Sequence, residues 1–264
     1  MQTYESIYKR ACYSWLIKQF DIYKTPSLYD DQYWWKRDDI EFYKKIIPPN
    51  AKALELGSGT GRLGVPLLRN DVQYFGLELS NEFCDYTRNK LLKKEHQNNI
   101  IHGDMTSFKI NHKFDYIFIA FNTFLHLLTN NQATQCFQCV KSHLSDGGIF
   151  ILDIVHPHPS FLSKNDNASE LVMDFKDSEH DDIVEIYEKC KYDNATEICD
   201  IVWEYRYKKH LEYSKQFEYQ MRMYYPDTMN RLLIENDFYI EDMYGDYDMN
   251  PFKENSHLQI YKAK

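Results

Sequence analysis

The stretch Ala-Leu-Glu-Leu-Gly-Ser-Gly-Thr-Gly at positions 53–61 constrains this chain most. A short apolar run leads straight into a loop with glycine at every second position, Gly57, Gly59 and Gly61. An apolar periodic segment from Leu63 to Leu68 follows. That order predicts a strand, a tight turn and a helix. Glycine lacks Cβ, so such a turn can take positive φ and press its backbone against a ligand. The loop is therefore the expected floor of a nucleotide-type site.

Two registers of the loop compete. Gly59-Thr60-Gly61-Arg62-Leu63-Gly64 matches the dinucleotide spacing G-x-G-x-x-G, but leaves Gly57 and Ser58 at the end of the strand, where an apolar pair belongs. Starting at Gly57 restores the strand and puts Arg62 where the third glycine belongs. Either way, Glu78 follows about twenty residues later at the end of the next strand, where a carboxylate can accept hydrogen bonds from both ribose hydroxyls. A surface glutamate beside a helix start is the plainer use of that residue.

The strand and helix pattern extends from this motif in both directions. Strands are expected near 52–56, 73–78, 99–102, 114–121 and 148–154, and helices near 62–70, 81–94 and 131–144, with Ser145-Asp146-Gly147-Gly148 as a turn before the fifth strand. Such alternation predicts a mostly parallel sheet covered by helices on both faces. Ahead of it, residues 3–20 and 38–47 read as amphipathic helices, the second stopped by Pro48-Pro49. After Pro159 the pattern changes. Residues 163–182 read as a polar loop, then 183–192, 196–208 and 211–225 as antiparallel strands joined by hairpins. A helix after Pro226 and strands at 238–245 and 256–262 close the chain. The expected organisation is an N-terminal lid segment, 1–37, a main domain, 38–160 with 226–264, and an inserted β unit, 161–225, over the site.

With 264 residues the chain can bury a large core, and a net charge of -9 disfavours a nucleic-acid partner, whose phosphates require basic surface. The six cysteines are scattered, without a disulfide framework, and residues 1–14 carry charges but no apolar signal core. The most apolar stretch, 116–128, contains Asn122 and His126 and is too short to span a bilayer. A cytoplasmic protein without a membrane partner is expected. Cys136 and Cys139, with His143, share a helical face, but no second ligand pair accompanies them, so they read as core.

Three further strand ends carry candidate chemistry. His102-Gly103-Asp104-Met105 follows the third strand, Phe121-Asn122 and then His126 follow the fourth, and His156-Pro157-His158-Pro159 follows the fifth. A histidine near its ordinary pKa can act as a base, so His156 is the first candidate and His126 the second. His156 and His158 lack further ligands at metal spacing, so no metal is expected.

Together, Glu55 to Gly61, Glu78, Gly103-Asp104 and the Gly147-Gly148 strand entry resemble the class I S-adenosylmethionine (SAM) methyltransferases over residues 40–262. The resemblance implies a Rossmann-like seven-stranded sheet with a reversed final strand. It implies that SAM is held by Glu55, Gly57, Ser58, Gly59, Gly61, Arg62, Glu78, Leu79, Gly103, Asp104, Met105, Phe121 and Asn122. Asp104 would accept from the adenine amino group, and the residues after the fourth strand would lie beside the reactive methyl. The Asn/Asp-Pro-Pro-aromatic motif of base-amino methyltransferases is absent. The C-terminal stretch from Leu232 to Phe252 looks like a bacterial subgroup with a β insertion, whose relatives methylate small amines and amino sugars. The expected reaction is methyl transfer to a small molecule, at nitrogen rather than oxygen, with Tyr33, Trp34, Trp203 and Tyr205 around the acceptor. A second copy of the chain is a further partner that the aromatic faces allow. The competing readings are an NAD-binding oxidoreductase and a SAM-binding protein without catalysis.

Overall fold

The structure is a computed structural model that describes residues 18–157 and 169–264. It opens with a two-residue strand β1 (Lys18–Gln19), a 3-10 turn (Ile22–Lys24), α1 (Pro26–Gln32) and α2 (Asp38–Ile46). The alternating part follows: β2 (Lys52–Leu56), α3 (Gly64–Arg69), β3 (Gln73–Glu78), α4 (Asn81–Lys90), α5 (Lys94–Asn98) and β4 (Ile100–His102). It continues with β5 (Phe114–Ile119), a 3-10 turn (Thr123–His126), α6 (Asn130–His143) and β6 (Leu144–Val155). Four strands come next: β7 (Glu170–Asp177), β8 (Asp182–Asp193), β9 (Ile198–Tyr207) and β10 (Lys215–Arg222). The chain ends with α7 (Pro226–Glu235), β11 (Ile240–Tyr244) and β12 (Leu258–Ala263).

Seven strands form one sheet in the order β4-β3-β2-β5-β6-β12-β11. The pairs among β2 to β6 are parallel, whereas β12 runs antiparallel to β6 and to β11. The final strand is therefore the reversed one, as the resemblance implies. Central strands buried on both faces must be apolar throughout. Phe118, Ile119, Ile151 and Leu152 accordingly have no exposed surface. One face packs Ala133, Phe137 and Val140 of α6 and Leu232 and Leu233 of α7. The other packs Phe42 and Tyr43 of α2, Leu67 of α3 and Cys84 of α4. Cys136 and Cys139 sit on α6 as part of the first core, and His143 accepts the Ile110 N–H through Nε2 at 3.0 Å.

A second sheet has the order β1-β10-β9-β8-β7. It packs Val184, Ile186, Tyr205 and Phe217 against Ile22 and Leu28 of the N-terminal segment.

Several local expectations need correction. The loop expected over 163–182 contains β7, paired with β8. Its charges hide an alternation in which Phe175 is buried. The expected Ser145–Gly148 turn lies inside β6: Gly147 takes φ +74 and the pairing with β5 shifts register between Phe114 and Tyr116, so the glycines make a bulge. One helix over 81–94 is two, α4 and α5. Of the helix expected at 3–20, residues 3–17 lie outside the described residues, and Lys18–Gln19 instead pair in parallel with β10.

Phe137 is fully buried, stacked at 5.1 Å on Phe124 and edge-on to Phe150 and Phe238. Phe137→Ala empties the centre of that face and should cost ~3–5 kcal/mol in urea unfolding. A loss below ~1 kcal/mol would mean that this face is not the core.

Candidate active site

Gly57, Gly59 and Gly61 have φ of +72, +56 and +76, so the loop after β2 is wound through the left-handed region at alternate positions. A Cβ at Gly57 would run into the Thr123 methyl group, whereas a Cβ at Gly59 would meet nothing within 4 Å. Gly59 therefore presents bare backbone to an open space. Glu78, at the end of β3, faces the same space. Its Oε2 accepts the Gly59 N–H at 2.8 Å and its Oε1 accepts the Ser80 N–H at 2.8 Å. Burial raises its pKa, and those two N–H bonds oppose the shift. Ser80 caps α4 by accepting the Phe83 N–H at 3.2 Å, so Glu78 is left to face the cleft.

The open space is a cleft of about 960 Å³ at the carboxyl ends of the strands. That size suits a drug-sized cofactor together with a small acceptor. Gly103, Asp104 and Met105 after β4 line it, and so do Phe121 and Asn122 after β5. The Asp104 carboxylate is fixed at the rim, where its Oδ1 accepts the Thr106 N–H and hydroxyl, each at 2.7 Å. Phe121 and Asn122 take φ of +49 and +68, consecutive left-handed residues that strain the chain by ~1–3 kcal/mol each. Asn122 Oδ1 accepts the Val155 N–H at 2.7 Å, and the buried Asp153 Oδ2 accepts the Phe121 N–H at 3.3 Å and the Tyr247 hydroxyl at 2.8 Å.

The N-terminal segment and the second sheet form the remaining walls. Tyr23, Tyr29, Tyr33 and Trp35 line one side, and Met173, Glu188, Trp203, Phe217 and Tyr219 the other. Ser80 donates its hydroxyl to the Tyr23 carbonyl at 2.5 Å, and Asp30 of α1 bonds Thr60 and Lys90. Between these walls lies His126, whose Nε2 is 3.0 Å from the Tyr23 hydroxyl. Burial lowers the His126 pKa, against a weaker opposite effect of a hydrogen bond to the Gln220 backbone. Tyr23 is held well above the usual phenol range, chiefly by burial.

Of the residues expected to touch cofactor, Gly57, Gly59, Glu78, Leu79, Gly103, Asp104, Met105, Phe121 and Asn122 line the cleft. Glu55, Ser58, Gly61 and Arg62 do not. Glu55 is buried behind the loop, accepting the Tyr74 hydroxyl at 2.6 Å. Ser58 is buried beneath the loop, and Gly61 packs on Thr87. Arg62 forms a bidentate pair with buried Asp39 at 2.7 and 2.6 Å and lies 5.1 Å from the Phe121 ring centre, so it braces the turn after β5.

The expectation that His156 points into the cleft is corrected. Its ring turns away, with Nδ1 3.0 Å from the Ser256 carbonyl and the ring 5.0 Å from Phe252, because the backbone after β6 stays paired to His257. His158 lies outside the described residues. Of the four expected acceptor residues, Tyr33 and Trp203 line the cleft. Tyr205 is on the correct sheet face but covered, donating to Gln32 of α1 at 2.8 Å. Trp34 is 63% exposed, because the chain turns at the end of α1 and brings Trp35 to the cleft in its place. Sequence reasoning missed Tyr23, Glu188 and Asp153. Asp153 carried a signal, a carboxylate inside an otherwise apolar strand. Tyr23 is one tyrosine among 22 and carried none.

Residues 53–148, from the glycine strand to the glycine bulge, match the model of a methyltransferase domain. The seven-stranded fold around that domain is the class I methyltransferase fold. SAM is the cofactor of such domains. A Bacillus subtilis (strain 168) protein named only provisionally as a methyltransferase, YqeM, is 22% identical over 142 residues, which span 50% of this chain and 57% of that protein. The CcbJ methyltransferase of Streptomyces caelestis superposes with a TM-score of 0.73 at 20% identity, over 86% of this chain and 88% of that one. The sugar N-methyltransferase KedS8 of Streptoalloteichus sp. does so with a TM-score of 0.63 at 15% identity, over 86% and 87%. These likenesses extend the shared fold beyond the methyltransferase domain into the second sheet. Among the described residues no helix is long and apolar enough to cross a membrane, and no three His, Cys, Asp or Glu side chains cluster as metal ligands.

Burial pushes Glu55 of the methyltransferase domain up to about 8, against the Tyr74 hydrogen bond and Arg62, from an ordinary value of 4.5. Between those values the unfolded chain releases a proton that the folded chain keeps, so this residue's contribution to stability falls as pH rises. Glu55→Gln keeps an acceptor for Tyr74 and has no proton to lose. Relative to the parent it should gain on the order of 3 kcal/mol in urea unfolding between pH 4.5 and pH 8. A difference constant across that range would show that Glu55 is ionised throughout.

Proposed function

We propose that this chain transfers the methyl group of SAM to an amine nitrogen of a small molecule, with Tyr23 and His126 removing the proton. The observation that carries this reading is the His126–Tyr23 pair inside the cleft, facing the strand ends that line a cofactor-sized space. The fold shared with a sugar N-methyltransferase supports nitrogen as the acceptor atom. The N-terminal segment and the second sheet, which narrow the opening, support a small acceptor, and a net charge of -9 argues against a polynucleotide.

The residues fit the cofactor. The bare backbone at Gly59 leaves room for close approach, and Glu78 keeps lone pairs beyond the two used by Gly59 and Ser80, which suit ribose hydroxyls. Asp104, held at the rim, suits an exocyclic amino group, and Met105 and Phe121, which line the cleft, would flank the adenine and the methyl end. Bound SAM supplies a methyl group on a sulfonium, which leaves as a neutral thioether. The walls hold the acceptor nitrogen in line and exclude water. As the N–C bond forms and the C–S bond breaks, the nitrogen becomes acidic. Tyr23 oxygen takes its proton and passes the phenolic proton to His126 Nε2, so charge ends on the imidazolium. The raised pKa of Tyr23 keeps it a relay and never a resting phenolate, and the lowered pKa of His126 keeps it neutral and ready to accept.

Label from methyl-labelled SAM, added to a cell extract with this protein, should appear in the small-molecule fraction; label chiefly in RNA, DNA or protein would overturn the reading. His126→Ala and Tyr23→Phe should each lower kcat by ~10²-fold or more, with SAM affinity retained in calorimetry. The double variant should be no worse than either single one, because relay partners act as a unit. In the parent, kcat should rise with pH through a limb below 6.5, the ordinary histidine value, and that limb should vanish without His126. Additive losses, or an unchanged limb, would remove the relay. Glu78→Gln should weaken SAM binding about tenfold, through loss of charge-assisted hydrogen bonds.

A further inference from the structure

The second sheet turns rings toward the cleft. Trp203 of β9 and Phe217 of β10 are opposed in register, and Tyr219 follows two residues later on the same face. The Phe217 ring stacks on that of Tyr219, with centroids 5.1 Å and planes 16° apart. The Trp203 ring meets Tyr219 at 5.3 Å and 79°, so the two stand nearly at a right angle. All three line the cleft, and Met173, Met221 and Met223 line it beside them. The result is a corner with an aromatic ring on each side.

The charged side chains of the same face have partners of their own. Glu188 accepts the Trp203 indole N–H through Oε2 at 2.9 Å, Glu170 opposes it on β7, and neither is without a partner. Asp177, Asp182 and Lys215 share the face by register but do not line the cleft. Asp177 accepts the Tyr207 hydroxyl at 2.6 Å, and Asp182 accepts the Lys209 and His210 N–H groups at 2.9 Å each. The Lys215 ammonium sits 4.5 Å over the Phe20 ring. What the second sheet offers an occupant is therefore mainly rings, aliphatic surface and thioethers.

The corner lies next to the proton relay. Tyr219 is 6.3 Å from the His126 ring, and Phe217 meets Tyr23 edge-on at 5.6 Å. A flat ring in the corner can stack with an offset on one wall and meet the other edge to face, the two arrangements that aromatic quadrupoles favour. The methionines are unbranched and polarizable, so they adapt to its outline and make sulfur–aromatic contacts. A sugar ring can also lie on an aromatic face, but its hydroxyls need polar partners and are costly to bury without them. The Trp203 indole N–H already donates to Glu188.

We propose that the acceptor is an arylalkylamine, with its aromatic ring seated in the Trp203–Tyr219 corner and a short tether carrying its amine to Tyr23 and His126. This deepens the amine-methylation reading and rests on it. The test uses the full chain saturated with S-adenosylhomocysteine, titrated calorimetrically with 2-phenylethylamine, 2-cyclohexylethylamine and glucosamine. At about pH 6.5 each is chiefly a monocation, so the probes differ in the body that carries the amine. The aryl amine should bind about threefold to tenfold tighter than its saturated counterpart, although the latter is the more hydrophobic. Glucosamine should bind weakest, about tenfold or more below the aryl amine. Tyr219→Phe keeps the ring and should keep this order. Tyr219→Leu opens the corner and should erase the aryl amine's advantage over the cyclohexyl one. S-adenosylhomocysteine affinity, measured on all three proteins, should be the same. Equal affinity of the aryl and cyclohexyl amines in the parent, glucosamine as tight as either, no binding of any probe, or an aryl advantage that survives Tyr219→Leu would overturn the proposal. Failure of S-adenosylhomocysteine to bind the parent would instead count against the underlying methyl-transfer reading.

Discussion

The site depends on one strained turn and the buried carboxylate that holds it. Phe121 and Asn122 sit side by side in the left-handed region, where residues with a Cβ are disfavoured. Asp153, one strand over, accepts the Phe121 N–H and the Tyr247 hydroxyl, and Asn122 reaches back to the Val155 N–H. Burial pushes Asp153 up to about 6, so its grip is made in a low-dielectric core at an electrostatic cost. In return the turn places Phe121 against Tyr33 at 5.2 Å and beneath Arg62, and carries Thr123 against Gly57. Thus β5, β6, the glycine loop, the N-terminal segment and the segment before β12 meet at a single backbone reversal.

Around that reversal lies an uneven distribution of charge. Asp39 is fully buried and satisfied by the Arg62 fork, the geometry that makes a buried pair tolerable. Lys36 adds its ammonium over the Tyr247 ring at 4.1 Å and pairs with Asp38 at 2.6 Å. These positive groups support the floor from behind and do not line the cleft. The cleft itself keeps its carboxylates. The lining is therefore negative, while the counter-charges that stabilise the scaffold stay on its far side.

The main domain was legible because its elements are set by local rules. Glycine at alternate positions after an apolar strand specified the loop, and apolar runs of strand length specified β2, β3 and β5. What failed locally was also physical. β7 is hidden by charges on its outward positions, and the Gly147 bulge looks like a turn because the two share the same backbone angles. His156 and Trp34 were singled out as residue types, yet orientation depends on partners distant in sequence: Ser256 and His257 turn the first away, and the end of α1 exposes the second.

By itself the sequence determined the βα order, the glycine loop, and the carboxylates Glu78 and Asp104 at strand ends, because periodicity and backbone permission are properties of neighbouring residues. Only the tertiary structure decided that Tyr23 meets His126 across 103 positions, that Glu188 comes to a wall of the cleft, and that Asp153 holds a turn in another strand. Those contacts arise from strand register and from the packing of the N-terminal segment on the second sheet. Burial, which shifts the pKa values of Glu55, Asp153 and His126, is likewise a property of the assembled core and not of any local stretch of chain.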